Sequence, residues 1–187
     1  MTKRAVILHG TDATPEWNWF PWLKTQLEAA GYQVWVPLLP GNEAPDREKY
    51  NDFLFGQGWD FTDNIVVGHS SGGVAVLNLL MDSRCPKIKL GVIVSAWSGG
   101  IPNGYPPDTH KFAKLFPRRG FKWRRIRANA TNLAFLHSSD DPYCPVEQAV
   151  TLATKLKAPI QLVPHGGHLG MQFTELPQVW HIITPYL

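Results

Sequence analysis

The chain predicts a doubly wound α/β sheet: short apolar runs recur along it, segments with helical features separate them, and most runs are ended by Gly, Pro or a polar turn. Several of the runs are apolar almost without break, as strands covered by helices on both faces of a parallel sheet require. The first run, residues 4–8, leads into His9-Gly10, and a helical segment over 17–30 follows, with Gly31 placed to cap it. A second strand over 33–37 ends at Pro37. Residues 41–58 are less regular, but Tyr50, Phe53, Leu54 and Phe55 support a short helix over 46–56. Strand 64–67 feeds a glycine-rich turn and helix 71–81, and strand 90–95 follows. Residues 97–127 hold Pro102, Pro106, Pro107 and Pro117 and read as a long loop with one or two short helices at most. Strand 132–136, helix 146–156, strand 159–163 and helix 173–183 complete about six mostly parallel strands. In such sheets ligands bind outside the carboxyl ends of the strands, so the long loop is the candidate wall or minimal lid of a site.

Composition narrows the class. With 187 residues, 44% hydrophobic and 12% aromatic, the chain suits one globular domain over residues 1–187, and disorder, collagen repeats and coiled coil are excluded. Two cysteines, Cys85 and Cys144, are too few for a disulfide scaffold and imply reduced thiols. The apolar run at residues 5–8 is too short for a signal-peptide core or a membrane span, so a cytoplasmic protein without a membrane partner is expected. The net charge of +3 is local: Arg118, Arg119, Lys122, Arg124, Arg125 and Arg127 fall within ten positions. No groove-sized basic surface follows from that, so no nucleic-acid partner is expected. The cluster reads first as a solvated segment anchored by Phe121, Trp123 and Ile126, and second as a seat for a phosphate or an acidic partner.

The strongest chemical signal is Gly68-His69-Ser70-Ser71-Gly72-Gly73 between a strand and a helix. A serine on so tight a turn needs small neighbours, and the helix behind it supplies free N–H groups and positive dipole. The competing phosphate-loop reading needs a lysine after the last glycine, and Val74 stands there instead. A serine nucleophile requires a base and an acid to orient it. Acids occur at Asp140 and Asp141 after strand 132–136, and histidines at His165 and His168 after strand 159–163. Asp-Pro is also ordinary turn chemistry, so both aspartates remain candidates on pattern alone. His165 and His168 form H-x-x-H, but no third ligand stands at a recognisable spacing, so no metal is expected. His69 is set apart from the remaining histidines only by its place beside Ser70. The N–H groups of Ser71 and of Thr11 or Asp12 are the candidate oxyanion donors, and Trp97 the candidate substrate contact.

Taken in order, these motifs resemble the small serine hydrolases of the YdeN and retinoblastoma-binding-protein-nine type, within the α/β-hydrolase superfamily. The resemblance runs through His9-Gly10, residues 18–24, 68–72, 126–129 and 139–142, and Gly167-His168. It implies a trimmed, single-domain α/β-hydrolase with Ser70 as nucleophile, Asp141, the aspartate before proline, as acid, and His168 as base. The L-x-C-x-E segment associated with the retinoblastoma-binding member does not occur, so that partner is not inferred. The expected function is hydrolysis of small acyl esters, with amides as a second substrate class, through an acyl-enzyme on Ser70 and without metal or organic cofactor. A non-catalytic binding or regulatory protein on the same scaffold, or an acyltransferase, is the alternative.

Overall fold

Side chains along a strand alternate between its two faces, and here both faces are apolar. The computed structural model describes residues 2–100, 104 and 110–187. Its strands are β1 (Arg4–Leu8), β2 (Gln33–Trp35), β3 (Ile65–His69), β4 (Ile88–Val94), β5 (Ala130–Ser138) and β6 (Ile160–Val163). All pair parallel in the order β2-β1-β3-β4-β5-β6. The helices are α1 (Phe20–Ala29), α2 (Arg47–Gly56), α3 (Ser71–Met81), α4 (Trp123–Ala128), α5 (Val146–Leu156) and α6 (Pro177–Ile183).

Ala5 and Ile7 of β1 and Ile65 and Val67 of β3 meet Leu23 of α1 and Val179 of α6 on one face. On the other, Val6, Leu8 and Val66 meet Leu54 of α2, Leu77 of α3, Ile126 of α4 and Leu152 of α5. Helix α3 is buried along its whole length, so the turn that begins it is fixed at the centre of the molecule. The chain leaves β1 toward β2 and returns on the other side of β1 as β3, which makes the carboxyl ends of β1 and β3 the switch point of the sheet.

The boundaries differ from the sequence reading for local reasons. Strand β2 stops at Trp35, two residues before Pro37, which has no N–H to pair. Helices α1 and α6 start at Phe20 and Pro177, later than expected, with Pro21 and Pro177 in their first turns, where the missing N–H costs nothing. Strand β5 is longer than its apolar run, because Ala130 pairs with Ile88 and the polar Ser138 with Val163. Gly31 takes the left-handed conformation after α1 (φ +84°), as its capping role requires.

Helix α4 is a short helix that closes the expected 97–127 loop and ends one residue past it. Residues 101–103 and 105–109 of that loop lie outside the described residues. Its described remainder is docked on the α2 and α3 layer. Phe112 and Leu115 are buried there, Asn78 Nδ2 donates to the Leu115 carbonyl, and the Arg47 N–H donates to the Lys114 carbonyl.

Asp46 caps α2, its Oδ1 accepting from the N–H groups of Glu48 (2.9 Å) and Lys49 (3.3 Å). Asp46→Ala is expected to lower the unfolding free energy by about 1 kcal/mol, measured by urea denaturation.

Candidate active site

Ser70 joins β3 to α3 with φ +57° and ψ −123°, a strained conformation held because the flanking residues leave no alternative. A Cβ on Gly68 would come within 2.2 Å of the Gly72 carbonyl oxygen, and one on Gly72 within 2.3 Å of that of Leu8. Only glycine lets α3 start this close to β1. The Ser70 N–H is held by the Val94 carbonyl at 2.8 Å, which ties the turn to β4 as well.

Asp141 follows β5 and His168 follows β6. Strands β3 and β5 are separated by two strand spacings, about 10 Å, which a carboxylate, an imidazole and a hydroxyl in line can cover. The Asp141 side chain is fully buried, and its two oxygens lie 3.0 and 2.9 Å from His168 Nδ1. The same carboxylate accepts the N–H groups of Tyr143 and Cys144, each at 2.9 Å. Burial pushes the Asp141 carboxyl up, but the His168 bond and charge with these two N–H groups outweigh it, so it titrates below the usual aspartate value. A proton on Nδ1 leaves Nε2 of His168 as the free base. Among the described residues no hydrogen bond joins Ser70 Oγ to His168 Nε2, a contact that commonly tightens only when substrate binds.

Asp140 does different work. Its Oδ1 accepts from Ser138 Oγ (2.6 Å) and from the Gly167 N–H (2.9 Å), bracing the acid loop against the histidine loop. His165, the other histidine of H-x-x-H, is 91% exposed and lies 3.6 Å from Asp140.

Beside Ser70, the first loop approaches so closely that a Cβ on Gly10 would be 3.1 Å from Ser70 Cβ. His9 secures this loop: its Nδ1 pairs with the Gly10 carbonyl at 2.8 Å and its Nε2 accepts the Leu39 N–H at 2.9 Å. The Asp12 N–H is occupied by the Asn42 carbonyl, whereas those of Thr11 and Ser71 have no acceptor among the described residues. Thr11 Oγ1 donates to Ser71 Oγ at 2.8 Å, clamping these two candidate donors together.

Trp97 is placed differently from its expected role. It is 1% exposed, packed edge-on against Phe112 and Phe116, so its indole is core and presents no open wall. The aromatic beside the histidine is Tyr143, 40% exposed, whose ring stands perpendicular to the His168 imidazole at 5.1 Å.

Two positioning residues have no clear sequence signal. His69 is buried between Trp19 and Phe20, with its Nε2 2.9 Å from the His168 carbonyl and the Gly10 backbone beside its Nδ1. Trp19 Nε1 donates to the Leu169 carbonyl at 2.8 Å. The histidine loop is therefore held by its main chain from two sides.

Asp141, Cys144 and His168 bring three ligand-type atoms within 4.8 Å of one another, a grouping that the spacing of histidines alone does not reveal. Burial pushes the Cys144 thiol well up, so it stays neutral, and the Asp141 oxygens are already engaged. The trio suits hydrogen bonding better than a cation.

A parallel sheet with a strained serine turn at its switch point and these loops beyond β5 and β6 is an α/β-hydrolase, and solved structures agree. The chain matches the crystal structure of the ydeN gene product of Bacillus subtilis with a TM-score of 0.82 at 30% identity, covering 99% of this chain and 98% of that one. Est1E of Butyrivibrio proteoclasticus shares the fold at a TM-score of 0.69 and 17% identity, over 99% and 86% of the two chains. In sequence, the chain is 32% identical to YdeN of Bacillus subtilis (strain 168) over 100% of its own length and 97% of that protein's. It is 24% identical to the serine hydrolase RBBP9 of Rattus norvegicus, over 91% and 89%. The family model for serine hydrolases matches residues 5–184, and the chain belongs to that family.

Burial lowers the pKa of His9, His69 and His137 below the ordinary 6.5, that of His69 to about 3. Below pH 6.5 the unfolded chain takes up protons that the folded chain refuses, so stability falls as pH drops from 7 to 5. Each histidine contributes a slope of up to about 1.4 kcal/mol per pH unit. The Asp141 contribution is lost only at lower pH, as the medium falls below the usual carboxylate range. Urea denaturation at pH 7, 6 and 5 measures this, and His69→Gln is expected to flatten the dependence by one proton. His69→Leu leaves the His168 carbonyl without its donor and is expected to cost about 1–3 kcal/mol at pH 7.

Proposed function

We propose that this serine hydrolase cleaves esters of small acyl groups through an acyl-enzyme on Ser70. The observation that carries the reading is the doubly contacted Asp141–His168 pair, its imidazole 4.9 Å from that of His69, with the next residue, Ser70, held in strained positive-φ geometry. Nε2 of His168 takes the Ser70 proton as Oγ attacks the substrate carbonyl, and Asp141 steadies the imidazolium that forms. The Ser71 and Thr11 N–H groups stabilise the oxyanion, for which α3 adds the positive end of its dipole. Collapse of the tetrahedral intermediate expels the alcohol, protonated by His168, and water then releases the acid by the same steps in reverse. Tyr143, open beside His168, suits an aromatic wall for a short acyl group. A cytoplasmic setting is supported by Cys85 and Cys144, both free and buried. No helix among the described residues is long and apolar enough to cross a membrane.

A fluorophosphonate probe tests the nucleophile. Labelling is expected to map to Ser70, to vanish in Ser70→Ala and to fall strongly in His168→Ala. A folded sample that does not label would turn the reading toward a binding scaffold. Asp141→Asn is expected to lower kcat for p-nitrophenyl acetate by about 10⁴-fold, as when a triad acid is replaced by its amide. Asp140→Asn, which touches only the bracing contacts, is expected to retain activity within about tenfold.

A further inference from the structure

A sizeable cavity among the described residues lies away from Ser70. It is a cleft of about 1060 Å³ between the start of α2, the end of α3 and the segment that leads into α4. Ser70 precedes α3 and the cleft meets Met81 at that helix's far end, eleven residues or about 16 Å on.

Its lining is electrostatically unbalanced. Arg47, Lys114, Arg118, Arg119, Lys122 and Arg125 face it, against the carboxylates of Asp46, Glu48 and Asp82. Each carboxylate is engaged: Glu48 by Arg47 at 2.9 Å, Asp82 by Arg84 at 2.8 Å, and Asp46 by the α2 N–H groups and by Lys114 at 3.9 Å. Arg118, Arg119, Lys122 and Arg125 have no ion-pair partner among the described residues.

The backbone that carries these four cations is anchored. The Gly120 N–H closes a turn onto the Pro117 carbonyl, Phe121 and Ile126 are buried, and Asn129 Nδ2 donates to the Leu80 carbonyl. At least part of the cost of gathering like charges is therefore met in folding, and binding does not have to order the segment. Of the residues that line the cleft, Asn51 and Asn78 are buried, and Asn78 Nδ2 ties α3 to the Leu115 carbonyl beneath it.

We propose that this cleft binds a small molecule carrying two or more phosphate groups, of about nucleotide size. Guanidinium groups pair with phosphate oxygens in bidentate fashion, and four unpaired cations exceed what one phosphate uses. The volume accommodates a ligand larger than inorganic phosphate.

Calorimetric titration of the full chain with ADP, AMP, inorganic pyrophosphate and inorganic phosphate at low ionic strength tests the proposal. Saturable one-to-one binding of ADP is expected, about tenfold or more tighter than AMP and phosphate, and weakening as salt is raised. Arg118→Gln with Arg119→Gln, and separately Lys122→Gln with Arg125→Gln, are expected to weaken ADP about tenfold or more while ester hydrolysis stays unchanged. All four side chains are exposed, and a matching thermal midpoint confirms that each variant folds. The proposal is overturned if ADP does not saturate, if phosphate binds as tightly, or if the double variants keep the wild-type isotherm. Retention on RNA or on phosphatidylserine vesicles that ADP does not displace also overturns it, in favour of a macromolecular surface.

Discussion

The candidate active site depends throughout on how near the start of α3 comes to β1. The carbonyl oxygens of Leu8 and His9 lie 2.3 and 2.5 Å from where a Gly72 Cβ would stand, so the helix is pressed against the first strand with only hydrogens between them. That contact forces the left-handed conformation at Ser70, lifts its hydroxyl above the sheet and turns the first N–H groups of α3 toward the same point. The strain is sustained because α3 is buried along its length and the sheet continues on both sides of β3.

The surrounding loops converge on this fixed point by main-chain contacts more than by side-chain ones. His69 and Trp19 grip the carbonyls of residues 168 and 169, His9 grips the Gly10 carbonyl and the Leu39 N–H, and Asp140 grips the Gly167 N–H. These residues hold the backbone that carries others. His69 touches the first loop and the histidine loop while adjoining the serine turn, so one side chain ties the three segments together.

Much of this was legible in the sequence because steric necessity leaves a mark on composition. The glycines of 68–73 announce the tight turn, the unbroken apolar runs announce buried parallel strands, and Gly31 announces a helix end. The order Ser70, Asp141, His168 is readable because each residue follows its own strand. What could not be read depended on contacts distant in the chain. Nothing near Trp97 signals that Phe112 and Phe116 bury it, and nothing near Trp19 signals a hydrogen bond 150 residues away. Choosing between Asp140 and Asp141 from pattern alone is equally blind, since only the folded loop shows which carboxylate turns inward to His168 and which braces Gly167.

The placement of His168 beyond β6 has a bearing on how the protein is made. Strands β3 to β6 lie in the sheet in the order in which they occur along the chain, each beside the one before. The serine turn thus precedes three of these strands in the chain, whereas the imidazole is encoded only beyond the last. On the proposed reading, a chain that ends anywhere short of that strand carries the serine turn without the imidazole that would serve as its base.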